Sequence, residues 1–287
     1  MLNPLVSICI PTYNGEKFIR SAMESAINQS YRPLEIIISD DASNDRTLTI
    51  VKSFISKTDI PIKIFEHKPV GIGANWSNCV QNSTGEYIKF LFQDDLLKPD
   101  CIKTMINLAV EDQDIGLVFS KRDFIVEGDY NVYKAWIEKF NNLHSHWTSI
   151  ETVQHGRDLL RDVNFLSQPR NKVGEPTTVL LHKSVFDKVG YFNTELKQSL
   201  DYEFWYRVFK FFKVGFINHE LVTFRLHSQQ TTVKNSKITI SDYQEYPHIV
   251  YKKLFWQLHP KVKRELFFKY NYIGKFIKKY FYNKDNK

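Results

Sequence analysis

The sequence predicts an α/β protein built on a mostly parallel, Rossmann-like sheet that helices cover on both faces. Through the first 120 residues, apolar β-rich runs alternate with helical patterns, and neighbouring parallel strands need such crossover connections. The run IIIS at residues 36–39 is apolar on both of its faces, which is typical of a buried parallel strand. Polar clusters directly follow several of these strands, at the edge where such sheets bind ligands.

The elements follow one another in regular order up to residue 120. The patterns predict strands at residues 6–10, 34–39, 62–65, 87–92 and 116–120, and helices at residues 16–28, 47–56, 74–82 and 99–110. The first helix is assigned by its spacing, which brings six apolar side chains to one face: Phe18, Ile19, Ala22, Met23, Ala26 and Ile27.

The second half of the chain is less regular. Residues 121–172 are rich in aromatics and histidines and give no assignable pattern, and we expect surface positions for His144 and His146. The pattern returns further on, with strands predicted at residues 178–181, 214–217 and 221–225, a helix at 201–212, and helices from about residue 251. We therefore expect a main domain over residues 1–230 and a helical extension over residues 231–287.

Charge is unevenly distributed between these two parts. The whole chain carries a formal net charge of +7, but residues 251–287 alone carry +9, from eleven Lys/Arg and two acidic residues. The remaining 250 residues therefore carry a net charge of −2. This is not the charge of a domain that binds nucleic acid through a basic surface. We expect no nucleic-acid partner.

Two further observations bear on the compartment. The three cysteines, Cys9, Cys79 and Cys101, show no CxxC spacing, which favours buried reduced thiols over disulfides or a zinc site. The N-terminal residues lack a basic region followed by a long apolar stretch, and no run of about 18 apolar residues exists. The sequence therefore predicts a cytoplasmic protein.

Three polar clusters stand where a crevice at the sheet edge would lie: PTYN after the first strand, DDASND after the second and QDD after the fourth. Adjacent carboxylates at a sheet edge repel one another, and a divalent cation compensates for this directly. Carboxylate oxygens suit Mg²⁺ or Mn²⁺, which also bind substrate phosphates. Helix capping or turn formation is the alternative role for each cluster.

Several spaced motifs resemble the family 2 glycosyltransferases. The opening segment VSICIPTYNGEKFIRSAMESAINQSYRPLEIIISDDASNDRT and the later segments GEYIKFLFQDDLLKPD and LKQSLDYEFWYRVFKF appear in that family's order. The resemblance covers residues 4–230 and implies the GT-A fold. It also implies an inverting transfer of a sugar from a nucleotide-diphosphate donor to an acceptor hydroxyl, with the main domain as the catalytic domain.

The resemblance implies roles for the residues that bind the donor. Pro11, Tyr13 and Asn14 of PTYN would contact the nucleotide, with Tyr13 stacking on the base. Asp41 would hydrogen-bond the base edge, typically of uracil. Asn75 would border the nucleotide, although a position in the first turn of a helix is its alternative role.

The resemblance also implies a metal site with Mn²⁺ or Mg²⁺ as cofactor. The family's Asp-x-Asp-Asp motif corresponds to residues 92–95, where Phe92 replaces the first aspartate. Asp94 and Asp95 are jointly assigned to the metal and to the ribose and diphosphate of the donor. His227, in FRLH, resembles a histidine that is sometimes a metal ligand in the family.

The acceptor side is implied by two further motifs. Asp201 corresponds to the general base that family members carry at the start of a helix, with Leu200 in place of the usual Glu. A structural role in the first helical turn is the alternative. Glu175, in the segment KVGEPT, would orient the acceptor sugar, and a simple turn is its alternative role.

The composition of the tail suggests where the protein encounters its acceptor. Residues 251–287 interleave eleven basic residues with eleven aromatics, a composition suited to an anionic membrane surface. We hypothesise peripheral attachment to the inner face of the cell membrane, where a lipid-linked glycan of cell-surface polysaccharide synthesis would be the acceptor. Packing on the main domain or on a partner subunit is the alternative.

The competing functions for the whole chain are a nucleotidyltransferase and a non-catalytic nucleotide-sugar-binding module.

Overall fold

One mixed sheet of nine strands runs through residues 3–235 and 239–282, the part of the chain that the computed structural model describes. Its strands are β1 (Val6–Thr12), β2 (Leu34–Asp40), β3 (Ile62–Glu66), β4 (Tyr87–Phe90), β5 (Leu96–Leu97), β6 (Ile115–Val126), β7 (Val153–His155), β8 (Val179–His182) and β9 (Lys213–Leu226). The predicted strand positions are confirmed, except that the two strands expected at 214–217 and 221–225 form the single long strand β9. Its three exposed residues 218–220 gave the sequence its apparent break.

The sheet is parallel on one side and mixed on the other. Its order is β3-β2-β1-β4-β8-β6-β9-β5, with β7 added on β9. Strands β1 to β4 pair in parallel, whereas β8 is antiparallel to both β4 and β6. The predicted α/β class is confirmed, but the strand expected at 116–120 does not lie beside β4, because β8 enters between them from far along the chain.

Helices cover both faces of this sheet. They are α1 (Ile19–Ile27), α2 (Thr47–Lys52), α3 (Ile72–Gln81), α4 (Cys101–Ala109), α5 (Tyr130–Phe140), α6 (Gly156–Leu160), α7 (Ser184–Val189), α8 (Leu200–Phe209), α9 (Thr231–Asn235), α10 (Asp242–Leu254), α11 (Pro260–Tyr270) and α12 (Tyr272–Ile277). In β2, Ile36 and Ile38 pack in the core under α1 and α4, while Ile37 packs on the other face under α3. The IIIS run is therefore apolar because both of its faces are buried.

The helical extension packs on the main domain over most of its length. Val250 and Leu254 of α10 and Val262 and Leu266 of α11 are buried in the same core cluster as Tyr206 of α8. This part of the tail therefore packs on the main domain, which is the alternative to membrane attachment. No helix in the described residues combines the length and apolarity needed to span a bilayer.

Asp242 at the start of α10 ties the extension to the loop before α8. Its Oδ2 accepts hydrogen bonds from the backbone N–H groups of Lys197, Gln198 and Ser199, at 2.9, 2.6 and 2.8 Å. The side chain is buried, so these three donors have little access to water. One carboxylate thus fixes the segment that leads into α8.

We expect Asp242→Ala to lower the free energy of unfolding by about 3 kcal/mol, because it leaves buried N–H donors without an acceptor. Urea unfolding followed by circular dichroism measures this. Asp59→Ala, at an exposed position without a recorded partner, is the matched control and should change stability by less than about 0.5 kcal/mol. Equal stability of the two variants would contradict the role of Asp242.

The region without a sequence assignment contains β7, α5 and α6, and one expectation there is wrong. His144 is buried, with its ring between those of Phe119 and Phe216 and its Nδ1 2.8 Å from the carbonyl oxygen of Lys172. Burial lowers the pKa of His144 to about 4. The aromatic partners that bury it come from β6 and β9, which are distant in sequence. The three cysteines are free and buried, as expected.

Candidate active site

A cavity of about 570 Å³ opens at the carboxyl ends of β1, β2 and β4, where the sheet topology places a ligand. The volume is in the range of small-molecule sites. Most of the predicted site residues line it: Pro11, Tyr13, Asn14, Asp41, Asn75, Asp94, Glu175, Asp201 and His227. The one that does not is Asp95.

A side chain from the loop after β4 hydrogen-bonds to the backbone of the loop after β1 and fixes its conformation. Gln93 accepts a hydrogen bond from the backbone N–H of Tyr13 at 2.9 Å and donates to its carbonyl oxygen at 3.0 Å. A Cβ on Gly15 would lie 2.2 Å from Gln93 Oε1, so a larger residue at this position would displace the Gln93 amide. The Tyr13 side chain remains 52% exposed at the cavity, with a ring face free for stacking.

The two aspartates after β2 have different roles. Asp40 is buried, and its carboxylate accepts hydrogen bonds from the hydroxyls of Thr12 and Ser43, both at 2.7 Å. Asp41 lines the cavity, where its Oδ1 accepts the backbone N–H of Val70 at 2.9 Å. The first aspartate fixes the turn, and the second presents a carboxylate to the ligand space.

The two aspartates after β4 divide in the same way. Asp94 lines the cavity, and its Oδ2 lies 2.9 Å from Nε2 of His227. Asp95 is fully buried, with one oxygen accepting the backbone N–H of Arg225 at 3.1 Å and the other the hydroxyl of Thr177 at 2.8 Å. Burial and then the Asp94 charge raise the pKa of Asp95 well above its ordinary value.

This arrangement corrects one expectation. Asp95 was assigned jointly with Asp94 to the metal, but both of its carboxylate oxygens are engaged inside the protein. One aspartate of each pair, Asp40 or Asp95, is hydrogen-bonded to donors inside the protein, and the other aspartate of the pair lines the cavity. Asp94 and His227 are the two predicted metal residues that lie together at the cavity.

These two side chains fit a divalent cation. A carboxylate and an imidazole form a suitable donor set for Mn²⁺, and Nδ1 of His227 is buried without a hydrogen-bond partner. Among the residues described, no group of three His, Cys, Asp or Glu could hold a metal on its own. The ion would therefore depend on donor phosphate oxygens and water for its other ligands, as is usual for Mg²⁺ sites.

Arg225 holds this part of the site in place. Its Nε donates to the carbonyl oxygen of Asp94 at 2.8 Å, its Nη1 is paired with Glu127, and its guanidinium lies 4.8 Å from the centre of the Phe18 ring. Since its backbone N–H also binds Asp95, one residue of β9 fixes both aspartates. We assign it a positioning role.

Asp201 occupies the first turn of α8 at the other end of the cavity. Its Oδ1 accepts the backbone N–H of Tyr202 at 2.8 Å, and its Oδ2 accepts Nδ2 of Asn171 at 2.8 Å. Burial outweighs these bonds and, together with the charge of Glu175, raises the pKa of Asp201 to about 8. The result is a fixed carboxylate with the basicity that proton abstraction near neutral pH requires.

Glu175 faces the same end of the cavity from the segment before β8. Its Oε2 lies 3.2 Å from Nε of Arg122, whose buried guanidinium is 5.1 Å from the ring of Phe124 and 5.4 Å from that of Phe224. Neither Nε nor Oε2 has a hydrogen-bond partner of good geometry.

Asn75 lines the cavity, but its side-chain amide is already hydrogen-bonded within the protein. Its Nδ2 donates to the carbonyl oxygen of Thr12 at 3.2 Å, and its Oδ1 lies 3.2 Å from Nε2 of His67. Both polar groups are engaged within the protein, and the side chain is buried. It supports the end of β1 beneath the Tyr13 loop.

Sequence reasoning missed four residues that shape the site: Gln93, Arg122, Asn171 and Arg225. Each acts through a partner between 30 and 131 positions away, as with Asn171 and Asp201 or Arg225 and Asp94. Gln93 and Arg225 belong to the motifs QDD and FRLH, in which only the aspartates and the histidine received roles, and this membership was the available signal. Arg122 and Asn171 lie in the unassigned region and gave none.

The sheet order, the crevice and the acidic strand ends define the GT-A class of glycosyltransferase fold. The family model described as glycosyl transferase family 2 matches residues 7–190. The chain therefore belongs to glycosyltransferase family 2, and it is a glycosyltransferase.

A protein of Rickettsia typhi, described as an uncharacterized glycosyltransferase, is 30% identical over 243 residues. The match covers 80% of this chain and 66% of the relative, so this chain spans about two thirds of that protein's length.

Two solved structures show the same fold. Residues 1–349 of TarS from Staphylococcus aureus, in complex with UDP-GlcNAc, superimpose with a TM-score of 0.66 at 17% identity, covering 94% of this chain and 74% of that one. The mannosyltransferase PcManGT from Pyrobaculum calidifontis, in complex with GDP-Man and Mn²⁺, gives a TM-score of 0.56 at 14% identity, covering 91% and 74%.

Proposed function

We propose that this glycosyltransferase moves a sugar from a nucleotide-diphosphate donor, UDP-linked, to a hydroxyl of a glycan or lipid-linked acceptor in cell-surface polysaccharide synthesis, with inversion at the anomeric carbon. The observation that carries the proposal is the cavity itself. It joins the exposed ring of Tyr13 and the carboxylate of Asp41 to the partly buried carboxylate of Asp201, whose pKa is raised.

The donor would occupy the end of the cavity formed by β1 and β2. The Tyr13 ring, 52% exposed, would stack on the base, and the free oxygen of Asp41 would accept an N–H from its edge. Uracil N3–H is such a donor, as are thymine N3–H and guanine N1–H, and among these bases we propose uracil. The complex of TarS with UDP-GlcNAc is consistent with this choice of base.

Asp94 and His227 would hold a divalent cation, Mn²⁺ or Mg²⁺, next to the donor diphosphate. When bound, such an ion neutralises charge that develops on the leaving nucleoside diphosphate. The complex of PcManGT with Mn²⁺ supports the choice of ion. Arg225 would keep Asp94 in the orientation that this requires.

Asp201 would act as the general base. Its carboxylate takes the proton of the acceptor hydroxyl while that oxygen bonds to the anomeric carbon. The bond from this carbon to the diphosphate oxygen breaks, and its electron pair leaves with the nucleoside diphosphate. Asn171 and the N–H of Tyr202 fix the carboxylate, and Glu175, which lines the cavity, would orient the acceptor sugar. A single displacement of this kind inverts the anomeric carbon.

The test is acceptor-dependent release of nucleoside diphosphate. The full chain is incubated with UDP-, GDP- and dTDP-sugars, Mn²⁺ and a membrane glycolipid extract. We expect release from a UDP-sugar that rises with the extract, and a product of inverted anomeric configuration by NMR. Release only from another nucleotide, or retention of configuration, would overturn the corresponding part of the proposal.

The pH dependence of transfer follows from the pKa of Asp201. A general base acts when deprotonated, so kcat/KM should fall about tenfold per pH unit below a pKa of about 8. Because the Glu175 charge raises the pKa of Asp201, we expect Glu175→Gln to move this acid limb to lower pH, whatever its effect on the maximum rate. A limb at the same pH in both proteins would contradict the coupling.

The proposed place of action is the cytoplasmic face of the membrane, where lipid-linked acceptors are exposed to cytoplasmic nucleotide sugars. The tail supports it: residues 251–287 carry eleven basic residues against two acidic ones. Fractionation of cells that produce the protein tests this location, and recovery of the protein wholly in the soluble fraction at low salt would contradict it.

A further inference from the structure

The end of the helical extension exposes a run of large apolar side chains. In α12 and the turn after it, Tyr272 is 85% exposed, Ile273 62%, Phe276 52% and Tyr280 46%. Soluble surfaces seldom carry so many large apolar side chains within nine residues. We call these four residues the α12 stripe.

The stripe points away from the protein body. Helix α12 contacts α11 through buried Gly274, where a Cβ would lie 2.4 Å from the carbonyl oxygen of Phe267. At about 100° per residue, Tyr272 and Phe276 each lie within about 20° of the direction opposite Gly274. The close approach at Gly274 therefore fixes which side of α12 faces outward.

Positive charge accompanies the stripe. Lys275, Lys278 and Lys279 are exposed beside it, and residues 266–282 contain four lysines and no Asp or Glu. Aromatic rings that sit at the headgroup level, next to lysines that reach lipid phosphates, are the pattern of an interfacial helix. The charge is complementary to an anionic bilayer.

We propose that the α12 stripe is the surface through which this protein binds an anionic membrane. It rests on the proposed function, because it would hold the enzyme where a lipid-linked acceptor lies, but binding can be measured without transfer. A second copy of the chain is a poor occupant. Four side chains are few beside the 20–30 residues per side of a typical stable interface, and a two-fold contact would bring lysines against lysines.

Trp256 is a further exposed aromatic in the same extension. It is 82% exposed in the turn between α10 and α11. Ring contacts connect it through Phe255 and Tyr251 to Tyr270, two residues before Tyr272, with centroid separations of 5.2, 5.2 and 5.7 Å. These ring contacts link Trp256 to the segment that leads into α12.

Co-sedimentation of the full chain with vesicles tests the proposal. We expect binding to vesicles of equal phosphatidylglycerol and phosphatidylcholine, and little binding to phosphatidylcholine alone. Tyr272→Ser with Phe276→Ser should weaken binding about tenfold. The matched control, Tyr191→Ser with Phe211→Ser, removes exposed aromatics of the main domain and should bind as the wild type does.

Lysine variants test the electrostatic part. Lys275→Gln, Lys278→Gln and Lys279→Gln together should weaken binding about fivefold per lysine at low salt. Lys103→Gln, Lys134→Gln and Lys188→Gln change the net charge equally at exposed sites elsewhere and should have little effect. An equal loss in both triple variants would show that net charge, rather than this surface, drives binding.

The proposal would also be overturned by no binding of the wild type to anionic vesicles, or by unchanged binding of both the Tyr272→Ser, Phe276→Ser variant and the triple lysine variant of α12. A dimer in solution that the Tyr272→Ser and Phe276→Ser changes dissociate would overturn it as well. Thermal stabilisation by UDP with Mn²⁺ is measured on the same proteins. If it persists in a stripe variant that has lost vesicle binding, the membrane surface is separate from the donor site. If vesicle binding fails while UDP still stabilises the wild type, only the membrane proposal fails.

Discussion

Asp201→Asn should reduce the transfer rate about a thousandfold while the protein remains folded and able to bind its donor, since general bases contribute about 10²–10⁴-fold. The amide keeps the acceptor for the Tyr202 N–H but cannot take a proton. Steady-state kinetics with saturating donor measure the loss, which should lie in kcat. Asp187→Asn, at an exposed position of α7, is the matched control.

Thermal stability separates this role from the structural alternative. A carboxyl group whose folded pKa is raised to about 8 makes the folded state less stable as pH rises from about 4 toward 8, because the folded protein then holds a proton that the unfolded chain releases. At pH 8 Asp201→Asn removes this penalty, which offsets the weakened bond to Asn171, so the melting temperature should not fall. A helix-capping role predicts the opposite, a lower melting temperature with activity retained.

Asp94→Ala should abolish the part of nucleotide binding that depends on Mn²⁺ and should reduce transfer at least about a hundredfold, because a metal clamp supplies several kcal/mol of charge stabilisation. His227→Ala should act in the same direction. Titration calorimetry with UDP, with Mn²⁺ and with a chelator, measures the coupling between nucleotide and metal.

Asp95→Ala provides the contrast within the same motif. Its carboxylate binds Arg225 and Thr177 inside the protein, so its loss should lower the melting temperature, whereas Asp94→Ala should leave it nearly unchanged. If the Asp95 variant is stable and has lost its response to Mn²⁺, the assignment of the metal to Asp94 and His227 is wrong.

The elements that could be predicted from the sequence are those whose signals are local. The strand ends of β1, β2 and β4 were located because parallel strands read as apolar runs and their polar successors stand beside them in the chain. Asp41 and Asp94 followed from that geometry together with the family resemblance. The alternation of Ile36, Ile37 and Ile38 between two cores likewise follows from a strand buried on both faces.

The parts that could not be predicted depend on partners distant in sequence. Which of Asp94 and Asp95 faces the cavity is decided by the hydroxyl of Thr177 and the N–H of Arg225, which hold Asp95 inside the protein. The same is true of His144, whose burial depends on Phe119 and Phe216. Composition marked the tail as basic and aromatic, but only the packing of Val262, Leu266 and Gly274 separates the part that joins the core from the part that faces outward.

The central claim is that the cavity binds a nucleoside diphosphate together with a divalent metal. Thermal unfolding with UDP, GDP, ADP, CDP and dTDP, each with Mn²⁺ or with a chelator, tests it most directly. We expect UDP with Mn²⁺ to stabilise the protein by about 2.7 kcal/mol at a hundredfold excess over Kd, a rise in melting temperature of about 5 °C or more, and the chelator to remove most of it. No change in melting temperature with any of the five nucleotides, with or without Mn²⁺, would contradict the claim.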